Sequence, residues 1–307
     1  MRKKPPTDLA ASIHQRLLNL SREKGEDFNL TLTRYAAERL LFRLSRSKHA
    51  DRFVLKGAML IAVWTEASYR PTRDLDFLGR GNASEEEMRR IFSDLCRSQV
   101  EPDGLEFDPD GIRVTEIREE QAYPGQRVKV AGKLKKAAVI VQADIGFGDV
   151  ITPGAVEIEY PTLLEGLPRP RIRAYSKESV IAEKLQAMIA LGMSNSRMKD
   201  FYDVFIMGKQ FGFDGPPLKK AIAATFQRRQ TPLPSLAPLA LSEEFFQNQD
   251  KIKQWKAFLS SNGLSDAPAD LQKVISSINK FLLPPLQAAS GRMSFKQRWP
   301  RGGPWNG

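Results

Sequence analysis

The stretch FVLKGAMLIAVWTEASYRPTRDLDF, residues 53–77, decides the fold class of this chain. It opens on a short apolar run that ends in a Lys-Gly-Ala turn at residues 56–58. Apolar residues then continue through Trp64, too densely for an exposed helix. After a polar turn, the stretch closes on alternating acidic and apolar residues from Asp74 to Phe77. The pattern therefore predicts a strand, a buried helix, a turn and a second strand.

Two acidic residues on the second strand suggest a metal site. Successive strand side chains point to opposite faces, so Asp74 and Asp76 share one face at a spacing of roughly 6–7 Å. Neighbouring carboxylates repel each other, and Mg²⁺ removes that penalty because it binds carboxylate oxygens together with substrate phosphates. The turn at Gly57 and Ala58 opens a helix, and its backbone N–H groups, with Lys56 nearby, suit a phosphate. The layout predicts a nucleotidyltransferase site. The alternative is a buried loop followed by an edge strand with two solvated acids.

The strongest strand pattern in the chain covers residues 138–147, AVIVQADIGF, which are rich in β-branched residues. Asp144 is a lone acid in this apolar segment. We expect it to join Asp74 and Asp76 as a third carboxylate, either as a metal ligand or as the base for an attacking hydroxyl. An acid reaching solvent at the strand end is the alternative.

A lysine lies at the edge of the buried stripe of a helix predicted from Ser176 to about residue 191. Helical spacing places Lys184 at that edge and points Glu183 outward. An amine on an inward face needs an anion, which could be a nucleotide phosphate or one of the paired acids. The alternative is a lysine whose amine reaches solvent along its apolar stem.

A second acidic pair, Asp200 and Asp203, shares a face at the start of the next predicted helix. We expect these acids to orient Lys184 or a basic partner such as Arg197. The alternative is that they only interact with the helix dipole.

Composition restricts the class of protein. The net charge of +11 indicates a polyanionic partner such as RNA, or an acidic protein. Residues 127–136 (RVKVAGKLKK) form a basic patch, which is either a solvated surface or an RNA contact. One cysteine excludes an internal disulfide and, with two histidines, makes zinc binding improbable. We find no apolar run of membrane-spanning length and no secretory signal, and expect a cytoplasmic protein.

Two domains are predicted. Residues 1–170 would hold two N-terminal helices, over about 8–24 and 31–47, a helix capped by Ser84, and the strands. Residues 171–307 read as almost wholly helical, with helices near 242–261 and 269–283 and a flexible basic tail from about residue 288. The arginines of the second helix are predicted to form a solvated or RNA-facing side; they are Arg34, Arg39, Arg43 and Arg46.

Several motifs in order resemble one known family over roughly residues 16–208, the AbiEii/MenT-type nucleotidyltransferase toxins of AbiE-class bacterial toxin–antitoxin systems. The motifs are Tyr35…Glu38-Arg39…Arg43, Leu55-Lys56-Gly57-Ala58, Arg70-Pro71-Thr72-Arg73-Asp74-Leu75-Asp76, Ala143-Asp144-Ile145, Tyr175-Ser176…Ala182-Glu183-Lys184-Leu185 and Arg197-Met198-Lys199-Asp200-Phe201-Tyr202-Asp203. One departure is Ala58, where the family usually has a second glycine. Alanine is compatible with a phosphate-binding backbone if its φ stays negative.

The resemblance implies an α+β fold. A polymerase-β-like nucleotidyltransferase domain with a mixed sheet would be followed by a helical domain, with the nucleotide held between them. It also implies that Asp74 and Asp76 bind Mg²⁺ and that Lys184 and Asp200 are needed for activity. Some family members transfer nucleotides from NTP to the 3′ end of tRNA, which blocks translation, and a cognate antitoxin protein restrains them.

Asp74, Asp76 and Asp144 would bind metal, while Lys184 and Asp200 join them in catalysis. The nucleotide would be bound by Lys56, Gly57, Ala58, Arg73, Arg197 and Asp203. Thr72 shares the strand face of Asp74, and a phosphate there would crowd the metal site, so we consider it a regulatory position. Two other functions stay open, namely nucleotide transfer to a protein hydroxyl and a catalytically inactive interaction module.

Overall fold

The structure, a computed structural model, describes residues 8–65, 72–117, 125–264 and 267–307. Arg70 and Pro71 of the resemblance lie outside these ranges. The described chain forms two compact units. The first comprises residues 8–64, 72–148 and 156–174, and the second comprises residue 65, residues 149–155 and the chain from 175 onward. The main division thus falls after Ala174, four residues beyond the predicted boundary.

The first unit combines helices with a sheet. Its helices are α1 (Leu9–Lys24), α2 (Phe28–Ser45), α3 (Gly57–Trp64) and α4 (Glu85–Arg97). Its strands are β1 (Phe53–Lys56), β2 (Leu75–Gly79), β3 (Leu105–Phe107), β4 (Arg113–Ile117), β5 (Gly125–Leu134), β6 (Ala137–Phe147), β7 (Val156–Glu159) and β8 (Arg171–Ala174). Asp8, Asp27 and Ser84 cap α1, α2 and α4 by accepting hydrogen bonds from backbone N–H groups.

The eight strands form one mixed sheet in the order β3-β5-β6-β2-β1-β8-β7, with β4 paired to β5. β1 runs antiparallel to β2, whereas β2 and β6 run parallel, as do β1 and β8. The predicted α+β class with a mixed sheet and a helical C-terminal region is confirmed.

Period-2 alternation decides which sheet face is buried. Along β6, Val139, Val141, Ala143 and Ile145 are buried, while the residues between them are exposed or half-buried. The buried face packs against helices; Phe53, for example, makes edge contacts with Phe77 of β2 at 5.6 Å and with Phe92 of α4 at 6.0 Å between ring centroids. The opposite face carries the polar residues of the central strands.

Two of the arginines on α2 are buried, so the prediction of a solvated or RNA-facing side is wrong for them. Arg39 is 0% exposed and lies 2.7 Å from Glu38, and its Nη2 donates to the Pro168 carbonyl. Arg43 pairs with the buried carboxylate of Asp103 at 2.6 Å. Helical periodicity could not reveal the contacts with Pro168 and Asp103, because those residues lie 60 or more positions away in the sequence.

The second unit is mainly helical. Its elements are α5 (Lys177–Leu191), α6 (Met198–Gln210), β9 (Phe213–Asp214), α7 (Gly215–Arg228), α8 (Glu243–Gln247), α9 (Gln249–Ser261), α10 (Leu271–Ser290) and β10 (Arg298–Trp299). The single helix expected over 242–261 is divided at Asn248, which caps α9 by accepting from the N–H groups of Asp250 and Lys251. In the described parts of the chain, no helix is both long and apolar enough to cross a membrane.

The C-terminal segment is packed in the structure, unlike the flexible tail expected from its composition. β10 pairs antiparallel with β9, and the indole N–H of Trp299 donates to the Gly208 carbonyl at 2.7 Å. The Trp305 indole donates to the Phe281 carbonyl at 2.8 Å. The prediction of flexibility rested on the Gly, Pro and Arg residues, whereas the contacts of Trp299 and Trp305 hold this segment in place.

Candidate active site

Four charged residues form a row across the central strands of the first unit. Lys56 is the direct cross-strand partner of Asp76, Asp76 is that of Asp144, and Asp144 is that of Arg127. Direct partners share a sheet face, so the row runs positive, negative, negative, positive. Two carboxylates at adjacent positions repel each other, and the outer cations reduce that repulsion. We refer to these four residues as the charged row.

Gly57 provides the space for one of these carboxylates. Its φ is +74°, and a Cβ built there would lie 2.0 Å from Asp76 Oδ2. The Asp76 carboxylate therefore occupies the side-chain position of residue 57, at the first residue of α3. An anion that approaches the start of α3 would meet the Asp76 carboxylate. The two negative groups could lie side by side only if they shared a cation.

The remaining residues of the 53–77 stretch surround this point. β2 begins at Leu75, so Asp74 lies one residue before the strand, and it is exposed, as is Arg73. Thr72 is half-buried and also precedes the strand. Lys56 extends its amine over the sheet, because a Cβ on Gly146 of β6 would lie 3.7 Å from Lys56 Nζ. Ala58 is buried and is not among the described residues with a positive φ, as its predicted role requires.

Asp144 is held by an arginine that sequence reasoning did not assign to the site. Arg127 donates through Nε to Oδ1 at 2.8 Å and through Nη2 to Oδ2 at 2.7 Å. This bidentate geometry fixes the carboxylate while leaving each oxygen further acceptor capacity. The basic patch at 127–136 was the available signal, but only the strand register shows that Arg127 faces Asp144.

The carboxylates fit a magnesium ion in donor type. In the described ranges, no group of three or more His, Cys, Asp or Glu side chains is arranged to hold a metal ion. Mg²⁺ needs only one or two protein carboxylates, because substrate phosphates and water complete its shell. Asp76 and Asp144 are adjacent in register, and Asp74 lies two residues before Asp76. This all-oxygen donor set fits Mg²⁺ rather than zinc.

The second unit contains a buried ion cluster on helices α5 and α6. Lys184 Nζ lies 2.8 Å from Asp200 Oδ1 and 2.6 Å from Asp203 Oδ2, and both aspartate side chains are 0% exposed. The lysine side chain is 12% exposed. The anions beside Lys184 are therefore these two acids, and their burial against the amine goes beyond a helix-dipole role.

Arg197 adds a second cation to this cluster. Its Nε lies 2.8 Å from Asp200 Oδ2, an ion-pair distance without hydrogen-bond alignment. The residue is held at the start of α6, because its backbone N–H donates to Asn195 Oδ1 at 2.8 Å. Buried Lys251 donates to the Asn195 carbonyl at 2.9 Å and thereby fixes this turn.

A further buried network on α5 was not predicted from the sequence. Glu183, expected to point outward, accepts from the Tyr175 hydroxyl at 2.8 Å and lies 3.3 Å from Arg229. Arg229 also makes a bidentate contact with Asp149. Burial raises the pKa of Tyr175 well above its usual value, and the nearby Glu183 and Asp149 carboxylates add to this effect. The tyrosine therefore donates as a neutral hydroxyl.

The sequence matches the profile of one protein family, described as "Nucleotidyl transferase AbiEii toxin, Type IV TA system", over residues 39–277. The match covers more than half of the chain and extends well past the motifs that carried the resemblance. No curated protein matches the sequence significantly.

One solved structure has a similar fold, and two others align with lower TM-scores. MenT4, a nucleotidyltransferase toxin from Mycobacterium tuberculosis H37Rv, has a TM-score of 0.51 at 18% identity, over 93% of this chain and 99% of that one. JHP933 from Helicobacter pylori has a TM-score of 0.47 at 15% identity, over 86% and 93% of the two chains. A third structure is described as a nucleotidyltransferase from H. pylori and has a TM-score of 0.40 at 15% identity, over 94% and 97% of the two chains. The profile match decides the family: this chain belongs to the AbiEii nucleotidyltransferase toxins.

Proposed function

We propose that this nucleotidyltransferase depends on Mg²⁺ and transfers nucleotides from NTP to RNA, with the 3′ end of tRNA as the favoured acceptor. The charged row carries the proposal, since it places two carboxylates side by side where Gly57 opens a helix. The strongly positive net charge supports a nucleic-acid acceptor over a protein hydroxyl.

In this proposal the first unit binds the triphosphate. Asp74 and Asp76 would hold Mg²⁺, with Asp144 as a third ligand or as acceptor of the proton lost by the attacking hydroxyl. Lys56, Arg73 and the backbone N–H groups of residues 57 and 58 would contact phosphate oxygens. When bound, Mg²⁺ would neutralise negative charge on the phosphates. The acceptor oxygen forms a bond to the α-phosphorus as the bond to pyrophosphate breaks.

Lys184 is proposed to neutralise charge that develops on the leaving pyrophosphate. Asp200 and Asp203 would hold its amine in one position, because both contact Nζ and both are buried. Arg197 is proposed to contact the nucleotide, since its side chain is 39% exposed while one edge pairs with Asp200. Asp203 would not contact the nucleotide itself and would act on it only by holding Lys184.

Two forms of restraint are proposed. Membership of a type IV toxin–antitoxin family implies a cognate antitoxin protein. Thr72, half-buried and two residues before Asp74, is proposed as a site where a phosphate would add negative charge beside the carboxylates. A Thr72→Glu variant should lose transfer activity while Thr72→Gln keeps it; equal activity of the two would exclude this regulation.

The proposed function is tested by incubating the purified protein with each labelled NTP, Mg²⁺ and total tRNA. Asp76→Ala should abolish labelling, whereas Asp250→Ala, a control at an 80% exposed acid, should not change it. Label on tRNA that requires Asp76 would establish the acceptor class and the nucleotide. Label on protein would favour transfer to a hydroxyl side chain. NTP binding without label on any acceptor would favour an inactive interaction module.

A further inference from the structure

The charged row continues outward into an exposed basic surface on the same sheet face. Arg127 lies at one end of the row, and Lys129 and Lys133 follow on the same face of β5, two and six residues further along, with Arg113 of β4 directly opposite Lys129. Lys135 and Lys136 form the turn between β5 and β6. All but Arg127 are exposed. We define Arg113, Lys129, Lys133, Lys135 and Lys136 as the basic strip.

Two features of the basic strip lower the local stability of the fold. Arg113 and Lys129 are direct cross-strand partners, and like charges at opposed positions destabilise a sheet. Lys135 has a φ of +57°, a left-handed conformation that glycine or asparagine adopts with less strain. The like-charge pair and the left-handed backbone of Lys135 both lower local stability, and an anionic ligand lying across Arg113 and Lys129 would remove the first of these costs.

The dimensions suit an extended polyanion. From Arg127 to Leu134 the strand advances by seven residue steps, roughly 24 Å at about 3.4 Å per residue, and Lys135 follows in the turn. Ile140, which is 60% exposed, stands opposite Ala131 on this face and offers an apolar contact for a base or ribose among the cations. Lys133 pairs with Glu106 of β3 at 2.9 Å, so its contribution is reduced.

We propose that the basic strip binds the phosphate backbone of the acceptor RNA and directs its end toward the charged row. The inference rests on the proposed function for its direction, but RNA binding itself does not require transfer to occur. RNA is favoured over an acidic protein because the strip is continuous with the row; Lys129 lies only two residues from Arg127, which contacts Asp144. A surface for a restraining protein would not need that continuity.

The test measures binding of fluorescent tRNA by anisotropy at several salt concentrations without NTP. The strip variant is Arg113→Gln/Lys129→Gln/Lys135→Gly. Its matched control, Lys256→Gln/Lys273→Gln/Lys280→Gln, removes three exposed charges from helices of the second unit. Each lost phosphate contact should lower the slope of log K against log salt by about 0.7–0.9, so the strip variant should lose about 2 in slope and roughly 10- to 100-fold in affinity. The control should bind like the wild type.

The single variant Lys135→Gly separates binding from folding. Glycine relieves the left-handed backbone, so its melting temperature should equal or exceed that of the wild type while its RNA affinity falls. Equal RNA affinity and salt slope in the strip and control variants would overturn the proposal. So would loss of polyglutamate binding with RNA binding retained, which would assign the strip to an acidic protein. If the strip variant loses RNA but the wild type transfers no nucleotide to RNA, the proposed function fails while the RNA-binding surface stands.

Discussion

The two acidic sites of this protein are both built from aspartates, but they differ in how deeply the aspartates are buried. In the second unit, Asp200 and Asp203 are fully buried and both contact the amine of Lys184. In the first unit, Asp74 is exposed, Asp76 is half-buried, and Asp144 has a side chain 22% exposed beside Arg127. Burial makes the cluster of the second unit dependent on its own cations, whereas the acids of the first unit keep part of their surface in contact with solvent. The buried acids hold a lysine amine in place, whereas the acids of the first unit present carboxylate oxygens that are at least partly exposed.

The largest expected effect is on activity at the charged row. Asp76→Ala should reduce transfer by at least about 1,000-fold, equivalent to about 4 kcal/mol of transition-state stabilisation. Its melting temperature should stay within a few degrees of the wild type, because a partly exposed acid contributes little to stability. The checks are labelled-NTP transfer and thermal denaturation. A large drop in melting temperature would place Asp76 with the structural acids instead.

In the buried cluster of Lys184, Asp200 and Asp203, a substitution should lower the free energy of unfolding by a large amount. Asp203→Ala leaves the Lys184 amine short of one buried anion, and breaking such a pair costs about 3–5 kcal/mol. Chemical denaturation measures this loss, with Asp250→Ala as an exposed control. Lys184→Met in the Asp203→Ala background should lower the stability further and abolish activity, because it leaves buried Asp200 with Arg197 alone. Wild-type stability of Asp203→Ala would end the distinction between the two sites.

Gly57 links backbone geometry to the charged row. Gly57→Ala combines a φ of +74° with a Cβ 2.0 Å from Asp76 Oδ2, so it should cost on the order of 3 kcal/mol and displace the carboxylate. We expect weaker Mg²⁺-dependent transfer together with lower stability. Gly25→Ala is a control, because its φ is +62° with nothing within 4 Å of the added Cβ. Equal losses in the two variants would attribute the effect to φ alone.

The smallest expected effect is the pH dependence of folding stability that Glu38 contributes. Burial raises its pKa from 4.5 to about 6, against the lowering effect of Arg39. Because the folded state binds the proton more tightly, this contribution to stability is complete below pH 4.5 and is lost as the pH rises to about 6. The loss should amount to about 2 kcal/mol. Unfolding free energies measured from pH 4 to 7 should show it, and Glu38→Gln should remove this part of the pH dependence.

Local sequence patterns predicted much of the fold. The helix expected from about residue 8 and the helix capped by Ser84 begin where predicted, and the β-branched run at 138–147 forms β6. The turn at Gly57 opens α3 as the pattern indicated. Composition was a poorer guide in the C-terminal segment, where Trp299 and Trp305 pack rather than remain flexible. Periodicity and capping depend on neighbours in the chain, which the sequence displays directly.

The sequence by itself predicted the fold class and the strand that carries Asp76, and it offered the pairing of Lys184 with Asp200 and Asp203 as one of several options. Only the tertiary structure decided that Arg127 holds Asp144, that Arg39 and Arg43 are buried, and that Glu183 points inward. The physical reason is that register and burial depend on contacts between segments far apart in the chain. A charged side chain can reach solvent or a buried partner from the same local pattern, and the distant partner decides between them.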